Sequence, residues 1–131
     1  MNGKIFVCLA FGLAAIGSAS ASQWTEVPGG VAAGKASVDL QSMTGVMTVE
    51  RTVWTKYEYN QPNVPTEPLM KPWKSSLERA TFFCSQRQKL TIELSLYDAA
   101  GKELPANKSS GLINVRPDSA DENIMKFVCS H

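Results

Sequence analysis

Histidine is almost missing from this 131-residue chain; its single copy is the last residue, His131. Hydrolytic catalysis needs a nucleophile and a base, and histidine is the usual base. A terminal residue is usually mobile, so His131 and the adjacent Ser130 do not read as a catalytic pair. Charge of one sign is lacking too, since 13 Lys and Arg stand against 12 Asp and Glu. A near-neutral chain without a polybasic stretch has no electrostatic footprint for nucleic acid or for an anionic membrane. No glycine-rich phosphate loop is present either, because Gly29-Gly30 leads into no helix. The sequence therefore implies no enzyme and no cofactor. Asp118, Asp121 and Glu122, the one acidic cluster, suit the first turn of a helix, where they complement its dipole.

Long apolar runs are confined to the beginning. Lys4 precedes an uninterrupted apolar stretch from Ile5 to Ile16, followed by Ala19-Ser20-Ala21, a small-x-small pattern that a signal peptidase accepts. A dozen helical residues rise only about 18 Å, short of the roughly 30 Å of a membrane's hydrocarbon core. Residues 1–21 read as an export signal cleaved between Ala21 and Ser22, and residues 22–131 as one domain with no stable membrane anchor. Cys8 lies inside the apolar run behind bulky Ile5-Phe6-Val7, where a lipoprotein signal would need small residues, so it leaves with the signal. The protein is expected to be exported, with periplasm, medium and cell surface all left open.

Removal of that segment leaves two cysteines, Cys84 and Cys129. An even count in an oxidising compartment reads as a disulfide, and none is then free for catalysis or metal binding. A bridge closing so long a loop contributes about 4 kcal/mol in the chain-entropy model, a large part of a typical stability of about 5–15 kcal/mol.

Alternation of side chains dominates the rest. Trp24–Val27 and Ala36–Leu40 read as short strands, with Gly45 marking a turn. Val46–Tyr59 carries the strongest strand signal: Met47, Val49, Val53, Tyr57 and Tyr59 share one side with Arg51 and Thr55, and Trp54 stands on the polar side. Asn60–Pro72 holds Pro62, Pro65, Pro68 and Pro72, which predicts an extended loop. Ser76–Cys84 and Lys89–Tyr97 are further strands around a tight turn at Ser85-Gln86-Arg87. In the second, Leu90, Ile92, Leu94 and Leu96 alternate with Thr91, Glu93, Ser95 and Tyr97. Asp98–Gly101 reads as a hairpin loop, and Leu112–Val115 as a last short strand. Asn107-Lys108-Ser109 matches an N-glycosylation sequon but reads as loop composition. Ser119 with Glu122 three residues on is a capping box before Ala120–Cys129, where Ile124, Met125, Val128 and Cys129 recur at helical spacing. A helix of about ten residues is marginal alone, so it needs the sheet face carrying Ala80 and Phe82.

Three residues stand out as candidates for recognition. Trp54 on its polar strand side and Trp73 after the proline-rich loop have the composition of a protein-binding surface; a core position for Trp54 is the competing reading. Asp39 sits mid-strand, where Asp is disfavoured. It reads first as a carboxylate capping backbone amides or pairing with Arg51 or Lys56, and second as a ligand contact.

Taken in order, several short motifs form a recognisable series: Trp24-x-x-Val27, Val38-Asp39, Val53-Trp54-x-x-Tyr57, the proline-bearing loop, Lys74-Ser75-Ser76 before a strand ending in Cys84, Tyr97-Asp98-x-x-Gly101, and Phe127-Val128-Cys129. The series resembles the surface-adhesin protein E family of small secreted proteins from Gram-negative bacteria, from Trp24 to Cys129. The resemblance implies an α+β, mostly β fold: a single antiparallel sheet of about six strands with a C-terminal helix packed on one face and held by the Cys84–Cys129 bridge. It also implies a non-enzymatic module binding a host extracellular or envelope protein. This chain lacks the lipidated cysteine of the family's named member. An envelope stress or assembly factor acting by edge pairing or as a homodimer is the alternative, and a small secreted hydrolase a remoter one.

Overall fold

The computed structural model describes residues 22–63, 71–105 and 111–131. The signal segment, most of the proline-rich stretch and the Asn107 sequon lie outside the described residues. The described chain forms eight strands and one α-helix: β1 Trp24–Glu26, β2 Gly34–Asp39, β3 Thr44–Val46, β4 Glu50–Asn63, β5 Trp73–Phe83, β6 Gln88–Tyr97, β7 Glu103–Leu104, β8 Leu112–Asn114 and α1 Ala120–Cys129. All pair antiparallel in one sheet of order β1-β2-β4-β5-β6-β7, with β3 added to β4 and β8 to β6. The main path has six strands, about the number expected, but it includes β7, which was not expected, while the expected strand Leu112–Val115 is β8, off that path.

One face of the sheet is covered by α1. Alternation in β4 and β5 sends Val53, Thr55, Tyr57, Ala80 and Phe82 to that face, where they are buried. Ile124, Met125 and Val128 meet them from the helix. Phe82, fully buried, contributes about 1.5–3 kcal/mol by transfer from water. Ser119 caps the helix by accepting from the Glu122 amide at 3.2 Å. Glu122 reaches back to the Asp118 amide at 3.3 Å, one residue earlier than a reciprocal box would have it. Cys84, just after β5, is bonded to Cys129 at the last turn of α1.

Three elements depart from the expected pattern. The strand expected from Val46 begins only at Glu50. Residues 47–49 turn between β3 and β4, leaving Val46, Met47 and Val49 exposed. Backbone geometry causes this: Thr48 adopts φ +70°, and Gly45 allows a close approach, since a Cβ there would lie 2.4 Å from the Glu50 carbonyl oxygen. At the other end β4 runs on through Asn60–Asn63, where a loop was expected. In β6 a bulge breaks the alternation: Arg79 pairs with Glu93 but Ala80 with Thr91, so Ile92 is the extra residue. Leu90 then lies opposite Thr81 on the uncovered face, while Lys89, Thr91, Leu94 and Leu96 lie opposite helix-face residues of β5.

Candidate functional site

The bulge and the helix start together build a groove on the covered face. Tyr57 and Tyr59 of β4, Trp73, Ser76 and Glu78 of β5, and Lys89, Leu94 and Leu96 of β6 line it together with the capping residue Ser119 and Ala120 and Asp121 of α1, around about 380 Å³. Its floor is ionic. Glu78 stands at the core-facing position between Ser76 and Ala80, and its side chain and that of Lys89 are each 8% exposed. A buried charge costs several kcal/mol unless it is paired and hydrogen-bonded. Glu78 meets that requirement: it accepts from Lys89 Nζ at 3.1 and 3.2 Å, from the Tyr57 hydroxyl at 3.2 Å and from Thr91 Oγ1 at 2.7 Å. Lys89 also donates to Asp121 Oδ1 at 2.9 Å, which ties the sheet to the first turn of the helix.

These contacts shift the protonation equilibria. Burial pulls the Lys89 ammonium down, but the Glu78 and Asp121 carboxylates outweigh it and hold its pKa above the usual lysine value. Burial, then the Glu78 charge, pushes the Tyr57 phenol well up, and Tyr59 moves the same way for the same reasons. All three groups keep their protons at neutral pH, so the floor is a fixed ion-pair platform. Glu122, bonded to Lys126, the Asp118 amide and Arg87, has its carboxyl held below the usual range.

Of the residues singled out in the sequence, Asp39 and Trp54 are neighbours, bridged by the Ser42 hydroxyl. It donates to the Asp39 carbonyl at 2.7 Å and accepts from the Trp54 amide at 3.2 Å, while Trp73 stands apart from both. Trp73 lines the groove. Trp54 is half-buried on the opposite, uncovered face, where the Arg79 guanidinium stands 5.9 Å from its ring centroid; Lys56 lies 4.6 Å from the Trp24 ring on that face as well. Asp39 is buried and caps a 3₁₀ turn at Leu40–Ser42, accepting from the amides of Gln41 at 3.1 Å and Gln23 at 3.2 Å. Its carboxylate holds backbone, not the pairing with Arg51 or Lys56 considered from sequence. His131 stacks on Phe127, with ring centroids 4.2 Å apart, while Ser130 donates to the carbonyls of Lys126 and Phe127. Among the described residues no group of three or more His, Cys, Asp or Glu could hold a metal ion.

The ionic floor and Tyr59 were missed from sequence. Its signal was present: Glu78 is a charged residue at a strand position in register with Ala80 and Phe82. Its partners come from two other elements, and the bulge that turns Lys89 inward is a non-local feature.

Fold and groove define a small single-sheet α+β domain whose terminal helix is pinned by one disulfide beside an open groove. The chain belongs to the surface-adhesin protein E family, whose model matches residues 24–130. Among solved structures it is similar to protein E of Haemophilus influenzae. One form superposes with a TM-score of 0.57 at 15% identity, covering 83% of this chain and 87% of that one. Another gives 0.55 at 16%, covering 83% and 85%. Protein E from a non-typeable strain gives 0.53 at 14%, covering 84% and 78%. Identity this low carries the fold alone. No match is found among curated proteins.

Proposed function

We propose that this chain is an exported, non-enzymatic binding module whose recognition surface is the groove between Trp73, Tyr59 and the start of α1. Its partner is a protein of the host extracellular matrix or of the bacterial envelope. One observation carries this reading: half-buried aromatic side chains border an open groove over a floor whose buried charges are already paired. Such a floor is a rigid platform for contact, with no buried group left poised to transfer a proton. The family's description as a surface adhesin supports the reading. Residues 1–21 support export, as does the disulfide, a bond that persists in oxidising compartments. Among the described residues no helix is long and apolar enough to cross a membrane.

The test is solid-phase binding of purified protein to a panel of extracellular-matrix and serum proteins. Tyr59→Ala/Trp73→Ala is expected to lose binding while far-UV circular dichroism and a cooperative, only modestly lowered Tm show the fold retained. Retained binding would remove the groove from this role. Trp54→Ala in the same assay decides whether the uncovered face contributes, since Arg79 already occupies one side of that indole.

A second reading, an assembly factor acting by strand pairing or dimerisation, is favoured by β8. This short strand pairs with β6 and exposes Leu112 by 52% and Ile113 by 42%, and exposed edges are templates for pairing. Light scattering distinguishes it: a dimer lost in Ile113→Lys supports pairing through this edge, and a monomer at all concentrations rejects it.

A further inference from the structure

Asp39 is a buried carboxylate that the groove does not use. Only 7% of the residue is exposed, and it joins none of the ion pairs among the described residues. Both hydrogen bonds to its side chain fall on Oδ1, from the amides of Gln41 at 3.1 Å and Gln23 at 3.2 Å. Oδ2 accepts from no group among the described residues. A buried carboxylate held by neutral donors alone lacks the opposite charge that offsets desolvation.

The cations on the surrounding strands are directed elsewhere. Lys56 of β4 lies 4.6 Å from the Trp24 ring centroid. Arg79 of β5 faces the Trp54 ring and bonds Glu93 of β6 at 2.7 Å, and Lys35 of β2 pairs with Glu58. Glu26 of β1, opposite Ser37, adds a further negative charge at this edge.

The chain itself holds a latent cation beside Asp39. Cleavage between Ala21 and Ser22, the bond expected to be cut in removing the export signal, adds water across that peptide bond. The hydroxyl goes to the Ala21 carbonyl carbon, and the Ser22 nitrogen leaves as an amine that is protonated at neutral pH. That nitrogen stands three covalent bonds from the Gln23 amide nitrogen, so bond lengths alone keep it within about 7 Å of Asp39 Oδ1. Successive N–H groups converging on one anion make a concavity suited to a carboxylate.

We propose that Asp39 is the counter-ion of the mature amino terminus: the Ser22 ammonium donates to Oδ2 while the Gln23 amide keeps Oδ1. The pair forms only after cleavage, because the precursor carries an uncharged peptide nitrogen at Ser22. It ties down β1, a three-residue strand at the edge of the sheet, where an unanchored terminus would fray. Removal of the export signal thus completes the fold. The proposal rests on the export reading for the position of the cut bond and is independent of what the groove binds.

The test uses the protein exported and processed by the cell, with its first residue read by N-terminal sequencing. NMR titration of the α-amino group is expected to show proton binding about tenfold tighter than that of an ordinary terminal amine, whose pKa is about 7.7–8.0. Asp39→Asn keeps Oδ1 for the two backbone amides and is expected to lose that gain. An ammonium paired in the fold stabilises it below the ordinary value and ceases to as pH rises through the folded one. The urea midpoint of the parent should therefore fall between about pH 8 and 9. Acetylation of the terminal amine leaves Asp39 in place and should remove that fall, which keeps the test decisive even if Asp39→Asn does not fold. In a chain that begins at Ser22, an ordinary α-amino titration, an unchanged gain in Asp39→Asn, or the same pH response after acetylation would overturn the clamp and leave export standing. A first residue other than Ser22 would overturn it through its premise instead.

Discussion

The two ends of α1 are held by opposite means. At the C-terminal end Ile124, Met125 and Val128 enter the apolar core and Cys129 is bonded to Cys84. The Thr48 amide donates to the Cys129 carbonyl at 3.2 Å, and Arg51 donates to that of His131, so hairpin, staple and chain end form one knot. The N-terminal end is held by charge: Asp121 on Lys89 of β6, and Glu122 on Arg87. The comparison shows a division of labour. With the helix fixed covalently at one end, the other can stay polar and partly open, and that is the end where the groove lies.

Cutting the staple probes the first half of this contrast and has the largest expected effect. Cys84→Ala/Cys129→Ala releases a loop with sequence separation 45 and should cost about 4 kcal/mol in the chain-entropy model, read as a lower denaturation midpoint in urea. Hydrogen exchange should quicken first at Thr48 and in the last turn of α1, leaving Lys89 and Thr91 protected longest.

Lys89→Met attacks the polar end. Removing one member of a buried pair costs about 3–5 kcal/mol because a charge is left uncompensated. Glu78 keeps the Tyr57 and Thr91 hydroxyls, which places the loss near 3 kcal/mol. Glu78→Leu/Lys89→Met should recover most of it, as paired apolar replacements often do. A double variant as unstable as the single one would show that the ion pair does more than neutralise itself.

Alkaline titration gives a smaller, graded effect. The folded-state pKa values of Lys89, Tyr57 and Tyr59 are all raised above ordinary values of 10.5 and 10.0. The folded chain then keeps protons that the unfolded chain releases, so their contribution is whole below about pH 10 and is lost as pH rises beyond it. Glu122 has the opposite sign: its lowered pKa favours folding above the ordinary carboxyl range and ceases to do so in acid. Urea midpoints should therefore fall above pH 10 and again below about pH 4.5, the latter fall being smaller in Glu122→Gln.

Much of this architecture was legible because its signals are local. The Ser119–Glu122 cap, the apolar spacing of Ile124, Met125 and Val128, and the alternation through Val53, Thr55 and Tyr57 each depend on residues close in sequence. The turn at 47–49 was hidden because Val46 and Val49 have strand propensity, while the turn is set by Gly45 fitting against Glu50. The Ile92 bulge was hidden because one inserted residue leaves apolar alternation looking continuous in β6. The groove followed from that bulge, so Glu78, Lys89 and Asp121 could be found singly in the sequence but not together. Trp54 and Trp73 share a residue type and a composition of neighbours, yet only Trp73 borders the groove.

Side-by-side measurement of stability and partner binding on Tyr59→Ala/Trp73→Ala and on Ile113→Lys addresses the division of labour directly. The first variant should unfold cooperatively at a modestly lowered Tm and lose binding to the matrix and serum proteins that the parent captures, while the second should keep both Tm and binding. Binding unchanged in Tyr59→Ala/Trp73→Ala, or lost only where Tm also collapses, would contradict a helix stapled at one end so that the other can recognise a partner.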